Sequence, residues 1–393
     1  MRGKLTGMNG NTAVAYAVKQ AEVDVIAAYP ITPQTIIVER LSEYVNNGEL
    51  NAAFIPVESE HTALSACVGA SLAGARVFTA TASQGLALMY EILWIASALR
   101  TTVVMALANR ALSAPINIHC SHDDAYAARD TGWIELFAEN VQEAYDLTLQ
   151  AFRISEDKRV LLPTIVNLDG FILTHSLEGL YVLDDKDVKE FLPPKEPVLP
   201  IDPDNPITYG PLDLYDYYIE HKRQQAEAMK NSYGPIKEIL RKYSEFTGRK
   251  YAPLKTFGME DAEVAMMILG SSAGTARYVA RKLRKNGKKV GVISLTVYRP
   301  FPVDEIREAL KGVKAVAVMD RSYSFGSPGA QLYMDVAAAL YNEKERPLLF
   351  NVIYGLGGRD LKPEHVAWVF EKAEEVARTG EVREPQIWIG VRE

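Results

Sequence analysis

Cysteine is nearly missing from this chain: 393 residues carry two, Cys67 and Cys120. Two thiols exclude a disulfide framework, and they exclude an iron–sulfur cluster held by this chain's own cysteines, which takes four thiolates. An excess of basic charge is absent as well. The net charge is −7, so no broadly basic face is expected and nucleic acid is not expected as a partner. No apolar run reaches the roughly 18 residues of a membrane span, and the stretch Leu86 to Leu99 is interrupted by Glu91. The N-terminus lacks a basic segment followed by an apolar one. No signal peptide is therefore expected, and the chain is read as cytoplasmic. Internal repeats and low-complexity tracts are missing too.

What is present is a composition of 48% hydrophobic and 24% charged residues, the balance of a packed globular protein. The length exceeds what one ordinary core fills, so two α/β domains and a connector are expected. In the first domain, strand and helix signals alternate. Val23–Tyr29 reads as a buried strand, Pro33–Asn46 as a helix, Phe54–Val57 as a strand and His61–Ala73 as a helix of small residues. Arg76–Thr81, Thr102–Ala108 and Val160–Leu168 read as strands. Gln84–Ala98 and Asn140–Ile154 read as helices, with a long polar loop after Ala108. Parallel strands joined by helices satisfy this order.

Pro193–Pro211 reads as a linker, and Asp213–Phe246 as a long polar helical segment with a break or kink expected at Gly234-Pro235. Tyr215, Tyr217 and Tyr218 cluster at its start, which suggests a bridge packed on another surface. Beyond it, strands Val264–Leu269, Val290–Leu295, Ala315–Met319 and Leu348–Ile353 alternate with four helices, Ala273–Lys285, Val303–Leu310, Gly329–Tyr341 and Glu364–Ala377.

Open parallel sheets bind ligands beyond the carboxyl ends of their strands, and three such loops stand out. Ala28-Tyr29-Pro30-Ile31-Thr32-Pro33 is either a helix start with Pro33 at its first position or a stiff turn that presents the Thr32 hydroxyl. Glu60 heads a helix whose face carries Leu64, Cys67 and Ser71. It is either a charge favoured by the helix dipole or a functional acid. Arg110 follows the strand Thr102–Ala108 and either holds a ligand carboxylate or pairs with Asp123 or Asp124.

Other residues read more plainly. Arg281–Lys289 is a basic helix end, and Cys67 a core thiol. Cys120, between His119 and His122, lacks a fourth ligand for a metal. Gly270-Ser271-Ser272-Ala273-Gly274 is either a tight turn or an anion cradle at a helix start.

The three loops together resemble the pyrimidine-binding domain of thiamine diphosphate enzymes, and within them the 2-oxoacid:ferredoxin oxidoreductases. The resemblance rests on Tyr29-Pro30-Ile31-Thr32-Pro33, the Ser59-Glu60 helix start, Thr81-Ala82-Ser83-Gln84-Gly85-Leu86 and the segment opening Asn109-Arg110-Ala111. Tyr298-Arg299-Pro300-Phe301-Pro302 is similar to the transketolase C-terminal domain of the same subunit, so nearly the whole chain is covered. The implied fold class is α/β. A pyrimidine-type thiamine diphosphate-binding domain spans 1–190, a linker and bridging helix 191–258, and a transketolase C-terminal-like domain with a tail 259–393.

The resemblance also implies roles. By position Glu60 is similar to the acid that hydrogen-bonds the ring nitrogen of the cofactor's aminopyrimidine, which favours the tautomer that takes the thiazolium proton. Such an acid needs shielding from water, which suits the small-residue helix behind it. Pro30 falls on the cofactor side of the same motif. Thr32 and Arg110 resemble the residues that bind the 2-oxoacid, and with Glu60 they make up the expected catalytic set. No metal ligand is expected on this chain.

Thiamine enzymes hold the diphosphate and its metal with a Gly-Asp-Gly segment, and this sequence contains no Gly-Asp dipeptide. The resemblance thus implies the alpha subunit of a heterotetramer that oxidatively decarboxylates pyruvate to acetyl-CoA and CO2. Its beta, gamma and delta partners would bring the diphosphate half with Mg2+ and the [4Fe-4S] clusters, and ferredoxin and coenzyme A would be met through the complex. Ser113-Ala114-Pro115-Ile116-Asn117 looks more like the pyruvate enzymes than the branched-chain ones. A branched-chain 2-oxoacid enzyme and a non-catalytic assembly subunit stay open as alternatives, and a self-contained transketolase-like enzyme is disfavoured. Gly355-Leu356-Gly357-Gly358-Arg359-Asp360 reads as a subunit-contact turn without assigned chemistry.

Overall fold

Val104–Asn109 and Thr164–Asp169 are buried at every position, which requires cover on both faces of the sheet that holds them. The computed structural model describes residues 1–199 and 201–392. The chain opens with β1 (Lys4–Met8), α1 (Gly10–Gln20), β2 (Val25–Ala28), α2 (Thr35–Asn46), β3 (Ala53–Pro56), α3 (Glu60–Leu72), β4 (Val77–Thr81), α4 (Ser83–Ala98) and β5 (Val104–Asn109). It continues through α5 (Asp123–Ala128), β6 (Ile134–Phe137), α6 (Val141–Ser155), β7 (Thr164–Asp169), α7 (Ile172–His175), β8 (Glu178–Val182), α8 (Asp185–Phe191) and the long α9 (Tyr218–Thr247). The remainder is β9 (Leu254–Phe257), β10 (Val264–Ile268), α10 (Ser272–Lys285), β11 (Val290–Leu295), β12 (Val297–Arg299), α11 (Val303–Ala309), β13 (Ala315–Asp320), α12 (Gln331–Leu340), β14 (Leu348–Ile353), α13 (Pro363–Thr379) and β15 (Gln386–Trp388).

A seven-stranded sheet runs β12-β6-β7-β5-β4-β2-β3, and a six-stranded one β15-β14-β13-β10-β11-β9. Each is parallel but for one edge strand: β12 is antiparallel to β6, and β9 is antiparallel to β11. One edge strand crosses over, since β12 follows β11 in sequence yet pairs with the first sheet. Apolar residues of both sheets then share one cluster, with Met105, Phe137, Met267 and Tyr298 among its buried members. A small β1–β8 ribbon is antiparallel.

Several elements depart from the sequence expectation. The loop after β5 is not wholly irregular, for it holds α5 and the fully buried β6. β1 and α1 were not anticipated, because α1 is built of alanine, valine and polar residues buried against α6 rather than of a plain amphipathic stripe. No break occurs at Gly234-Pro235: α9 runs through Pro235. An interior proline costs about 3 kcal/mol, but Ala228, Ser232, Ile236, Ile239, Leu240 and Tyr243 are buried on either side of it, and that packing outweighs one lost backbone bond. Tyr243 and Tyr251 both donate to Asp146 of α6, and Arg249 makes two bonds to it at 2.6 and 2.7 Å. Tyr215, Tyr217 and Tyr218 are exposed on this chain. The basic helix end is as expected, with Lys282, Arg284 and Lys285 in the last turn of α10 and Arg284 paired to Glu260 and Asp261. Cys67 is a buried thiol.

Candidate active site

The carboxyl ends of β2, β4 and β5 lie side by side in the first sheet, so the loops that follow them meet. After β2 the chain turns through Tyr29, Pro30, Ile31 and Thr32. Two buried amides brace this turn. Gln34 Nε2 donates to the carbonyls of Tyr29 at 2.8 Å and Ala80 at 3.0 Å, and Asn11 Nδ2 donates to that of Pro33 at 2.8 Å. Pro33 is therefore not the first helical residue; Gln34 caps α2, which starts at Thr35. Tyr29, Pro30 and Thr32 are left exposed on the rim.

Glu60 is the first residue of α3, one place before the expected start, with Ser59 Oγ accepting the Thr62 N–H as its cap. It is 7% exposed, and Leu64, Cys67 and Ser71 are buried on the same face. Its carboxylate makes no hydrogen bond to another of the described residues. Glycine at position 85, in the first turn of α4, makes room for it: a Cβ there would lie 2.7 Å from Glu60 Oε1 and 2.3 Å from Thr81 Oγ1. The Thr81 hydroxyl is itself buried without a partner. Such groups are rarely left unpaired in a native interior, so this corner is shaped for something that hydrogen-bonds.

Arg110 stands immediately past β5 and is 6% exposed. Its Nη1 donates to the Thr32 carbonyl at 3.0 Å and its Nε to that of Asn117 at 3.0 Å. No carboxylate among the described residues pairs with the guanidinium. Asp123 accepts instead from Ser322 Oγ, and Asp124 accepts the Arg110 backbone N–H at 2.9 Å. The ion pair considered from sequence thus does not form. Burial pulls the arginine down from its usual value, opposed by the nearby Asp124 charge. A desolvated guanidinium with Nη2 unused is prepared for an anion.

Sequence reasoning treated Asp124 only as a partner for Arg110, and it passed over Ser83 and Gln34 as individuals. Ser83 has φ +46°, a left-handed value that non-glycine residues seldom adopt and that clusters at functional sites. Burial pushes the Asp124 carboxyl up to about 7, against the pull of its hydrogen-bond donors.

Cys120, His122 and Asp169 do converge, with ligand atoms within 4.8 Å of one another. Arg321 occupies the cation's place, its Nη1 3.2 Å from Cys120 Sγ and 2.9 Å from Asp169 Oδ2, while His119 stacks near Phe171 instead. Asp169 also answers the question of an anion at the start of α10. Its Oδ2 accepts from Ser271 N at 3.0 Å and Ser271 Oγ at 2.5 Å. Gly270 has φ +67°, and a Cβ there would fall 2.7 Å from Asp169 Oδ1. Burial alone would raise this carboxyl, but Arg321, His122 and Ser271 outweigh it and hold it well below the usual carboxylate range. The turn is a fastening between the two sheets.

A family model described as "Pyruvate flavodoxin/ferredoxin oxidoreductase, thiamine diP-bdg" matches residues 16–241, and one described as "Pyruvate:ferredoxin oxidoreductase core domain II" matches residues 262–366. The chain belongs to this oxidoreductase family. A pyruvate synthase subunit PorA of Thermotoga maritima is 51% identical, covering 98% of both chains, and that of Pyrococcus furiosus is 49% identical, covering 98% of this chain and 97% of its own. A ketoisovalerate oxidoreductase subunit VorA of Pyrococcus abyssi is 42% identical over 97% of this chain and 96% of its own. Among solved structures, a 2-oxoglutarate:ferredoxin oxidoreductase of Magnetococcus marinus superposes with a TM-score of 0.73 at 20% identity, covering 94% of this chain. This chain spans 65% of that one's length. A split-gene transketolase, described as an inactive beta4 tetramer, gives a TM-score of 0.58 at 13% identity, over 95% of this chain and all of that one. These two likenesses bear on the α/β fold alone, and the thiamine diphosphate-binding description comes from the family model over residues 16–241. No helix among the described residues is long and apolar enough to cross a membrane.

Proposed function

We propose that this chain is the alpha subunit of a pyruvate:ferredoxin oxidoreductase and supplies the aminopyrimidine and substrate side of the active site. The observation that carries the reading is the Glu60 corner: Glu60 is 7% exposed and its carboxylate makes no hydrogen bond to another of the described residues, the Thr81 hydroxyl is buried and unpartnered among them, and a glycine stands beside both. An aminopyrimidine, with a ring nitrogen and an exocyclic amine, fits such a donor and acceptor set. Bound there, thiamine diphosphate supplies the electron sink that loss of CO2 from a 2-oxoacid requires.

The chain's own residues do the rest. Glu60 would hydrogen-bond the ring nitrogen and exchange a proton with it. Pro30 lines the cofactor side of the turn. Arg110 offers its unused Nη2 to the substrate carboxylate, and the Thr32 hydroxyl donates to a substrate oxygen. The tie from Arg110 to the Thr32 carbonyl fixes those two relative to each other. With no Gly-Asp dipeptide in the sequence, the diphosphate and Mg2+ belong to a beta partner. The [4Fe-4S] clusters belong to partner chains, with gamma and delta subunits completing the complex that meets coenzyme A and ferredoxin in the cytoplasm. Residues 1–190 are assigned to the cofactor domain, 191–258 to the connector and 259–393 to the transketolase C-terminal-like domain, with β9 and β12 as strands lent across those boundaries.

Pyruvate is favoured over branched 2-oxoacids because the Ser113–Asn117 segment resembles the pyruvate enzymes and the relatives at 51% and 49% identity are PorA subunits, while a further PorA chain at 41% lies level with VorA at 42%. Thr32, Glu60 and Arg110 standing together favour an active subunit over an assembly factor. Steady-state kinetics of the assembled complex with pyruvate, 2-oxobutyrate and 3-methyl-2-oxobutanoate test this: pyruvate is expected to give the highest kcat/KM, and a preference for the branched acid would replace the assignment.

A further inference from the structure

The loops after β4 and β5 lead into different elements, yet one buried side chain ties them. Asp124, in the first turn of α5, is fully buried. Its Oδ2 accepts the backbone N–H of Ser83 at 2.9 Å and that of Arg110 at 2.9 Å. Its Oδ1 accepts Asn109 Nδ2 at 3.2 Å and the Ala125 N–H at 2.8 Å. Four donors converge on two oxygens, an arrangement that only a carboxylate can satisfy in full.

The two backbone groups it holds are the origins of the two halves of the site. Ser83 opens α4 at φ +46°, and strain of this kind persists where the surroundings over-determine it. Two residues on, Gly85 stands against Glu60. A second tie reinforces the first, since Ser83 Oγ donates to the Ala111 carbonyl at 2.6 Å. On the other side, Arg110 sends its guanidinium to the Thr32 carbonyl. Asp124 is fully buried with both oxygens engaged by donors of the chain, and the spacing between the Glu60 wall and the Arg110 anchor passes through it.

We infer that Asp124 is a positioning residue that sets the Arg110 guanidinium and the Gly85 wall of the Glu60 corner in one register. The inference rests on the roles proposed for Arg110 and Glu60. A purely structural carboxylate of the same kind is available for contrast. Asp146, in α6, is also fully buried and accepts from the Tyr243 and Tyr251 hydroxyls and from Arg249 Nε and Nη2, which ties α6 to the end of α9 and the segment after it. In Asp124→Asn one of the two oxygens becomes an amine that cannot accept, so two of the four donors lose their acceptor and the junction of the two loops loosens.

The test uses the assembled complex. Asp124→Asn is expected to raise the KM for pyruvate by about ten-fold or more, the scale of a small misplacement of a binding group. Amide hydrogen exchange is expected to quicken in residues 82–86 and 110–119 together. Asp146→Asn is expected to lower the unfolding temperature while leaving the KM and the exchange of both loops as in wild type. Wild-type KM and loop exchange in Asp124→Asn, with or without a lower unfolding temperature, would overturn the inference. Where Asp124→Asn fails to assemble, Asn109→Ala removes one donor and frees the carboxylate to rotate. It is expected to raise the KM by about three-fold, the scale of one hydrogen bond, and an unchanged KM would likewise overturn the inference. Arg110→Ala run in parallel separates the two claims: a raised KM there with a wild-type Asp124→Asn removes Asp124 alone, whereas an unchanged KM removes the arginine's role and with it the inference.

Discussion

Gly85 leaves no room for a methyl group beside Glu60: a Cβ would sit 2.7 Å from the carboxylate Oε1. Gly85→Ala is therefore expected to push the Glu60 side chain out of place and cut kcat steeply. Alanine is the better helix former by about 1 kcal/mol, so the propensity of α4 works against a large loss of unfolding temperature. Activity and thermal melting of the assembled variant check this. Wild-type kcat would mean the carboxylate has freedom to spare.

Arg110→Ala is expected to impair 2-oxoacid use far more than cofactor binding. Removing a charged hydrogen-bond partner from a closed site costs roughly 2–5 kcal/mol, on the order of tens- to thousands-fold in kcat/KM. Lysine should rescue only in part, because it keeps the charge but loses the planar fork that reaches the Thr32 and Asn117 carbonyls. Pyruvate titrations of kcat/KM, beside thiamine diphosphate titrations of the same variants, check both statements.

A pH dependence of stability is expected from Glu135. It is fully buried in β6, burial pushes its carboxyl up to about 8 with Arg299 opposing, and neither oxygen has a hydrogen-bond partner among the described residues. A carboxyl whose folded value lies above its unfolded value, about 4.3, contributes its full stability below the unfolded value. That contribution falls as pH rises through the window up to about 8. Melting of the purified subunit at pH 6 and pH 9 should therefore show a larger loss for the wild type than for Glu135→Gln. Equal losses would place the ionisation elsewhere.

The purified chain on its own is expected to be colourless and to hold neither iron nor stoichiometric thiamine diphosphate, with both acquired once partner subunits are added. Metal analysis and cofactor titration check this. Tight cofactor binding by the isolated chain would contradict a divided site.

Much of the architecture was legible because its signals are local. The strands Val104–Asn109 and Thr164–Asp169 are centred on the apolar runs Val104–Ala108 and Ile165-Val166, and Glu60 and Arg110 stand where such strands and their helices begin or end. What escaped depends on tertiary contact. α9 passes through Pro235 because buried residues on both sides hold it, which no proline rule foretells. β12 joins the first sheet from beyond the second sheet's start, and its three residues carry no topological label. Asp169 fills the anion position at the head of α10, so the glycine turn that suggested a ligand is satisfied within the chain. Asp124 looked like a candidate ion-pair partner because sequence proximity says nothing of which atom of Arg110 it meets: the backbone N–H, not the guanidinium.

The most direct measurement concerns Glu60 itself. In the assembled complex, deuterium exchange at the thiazolium carbon of bound thiamine diphosphate reports proton transfer without requiring turnover. Glu60→Gln keeps the size of the side chain but cannot share a proton with the ring nitrogen. It is expected to slow this exchange and nearly abolish turnover while the complex stays folded and loaded. Exchange at the wild-type rate in a folded, cofactor-bound Glu60→Gln complex would contradict the assignment of Glu60 and, with it, the place given to this chain in the active site.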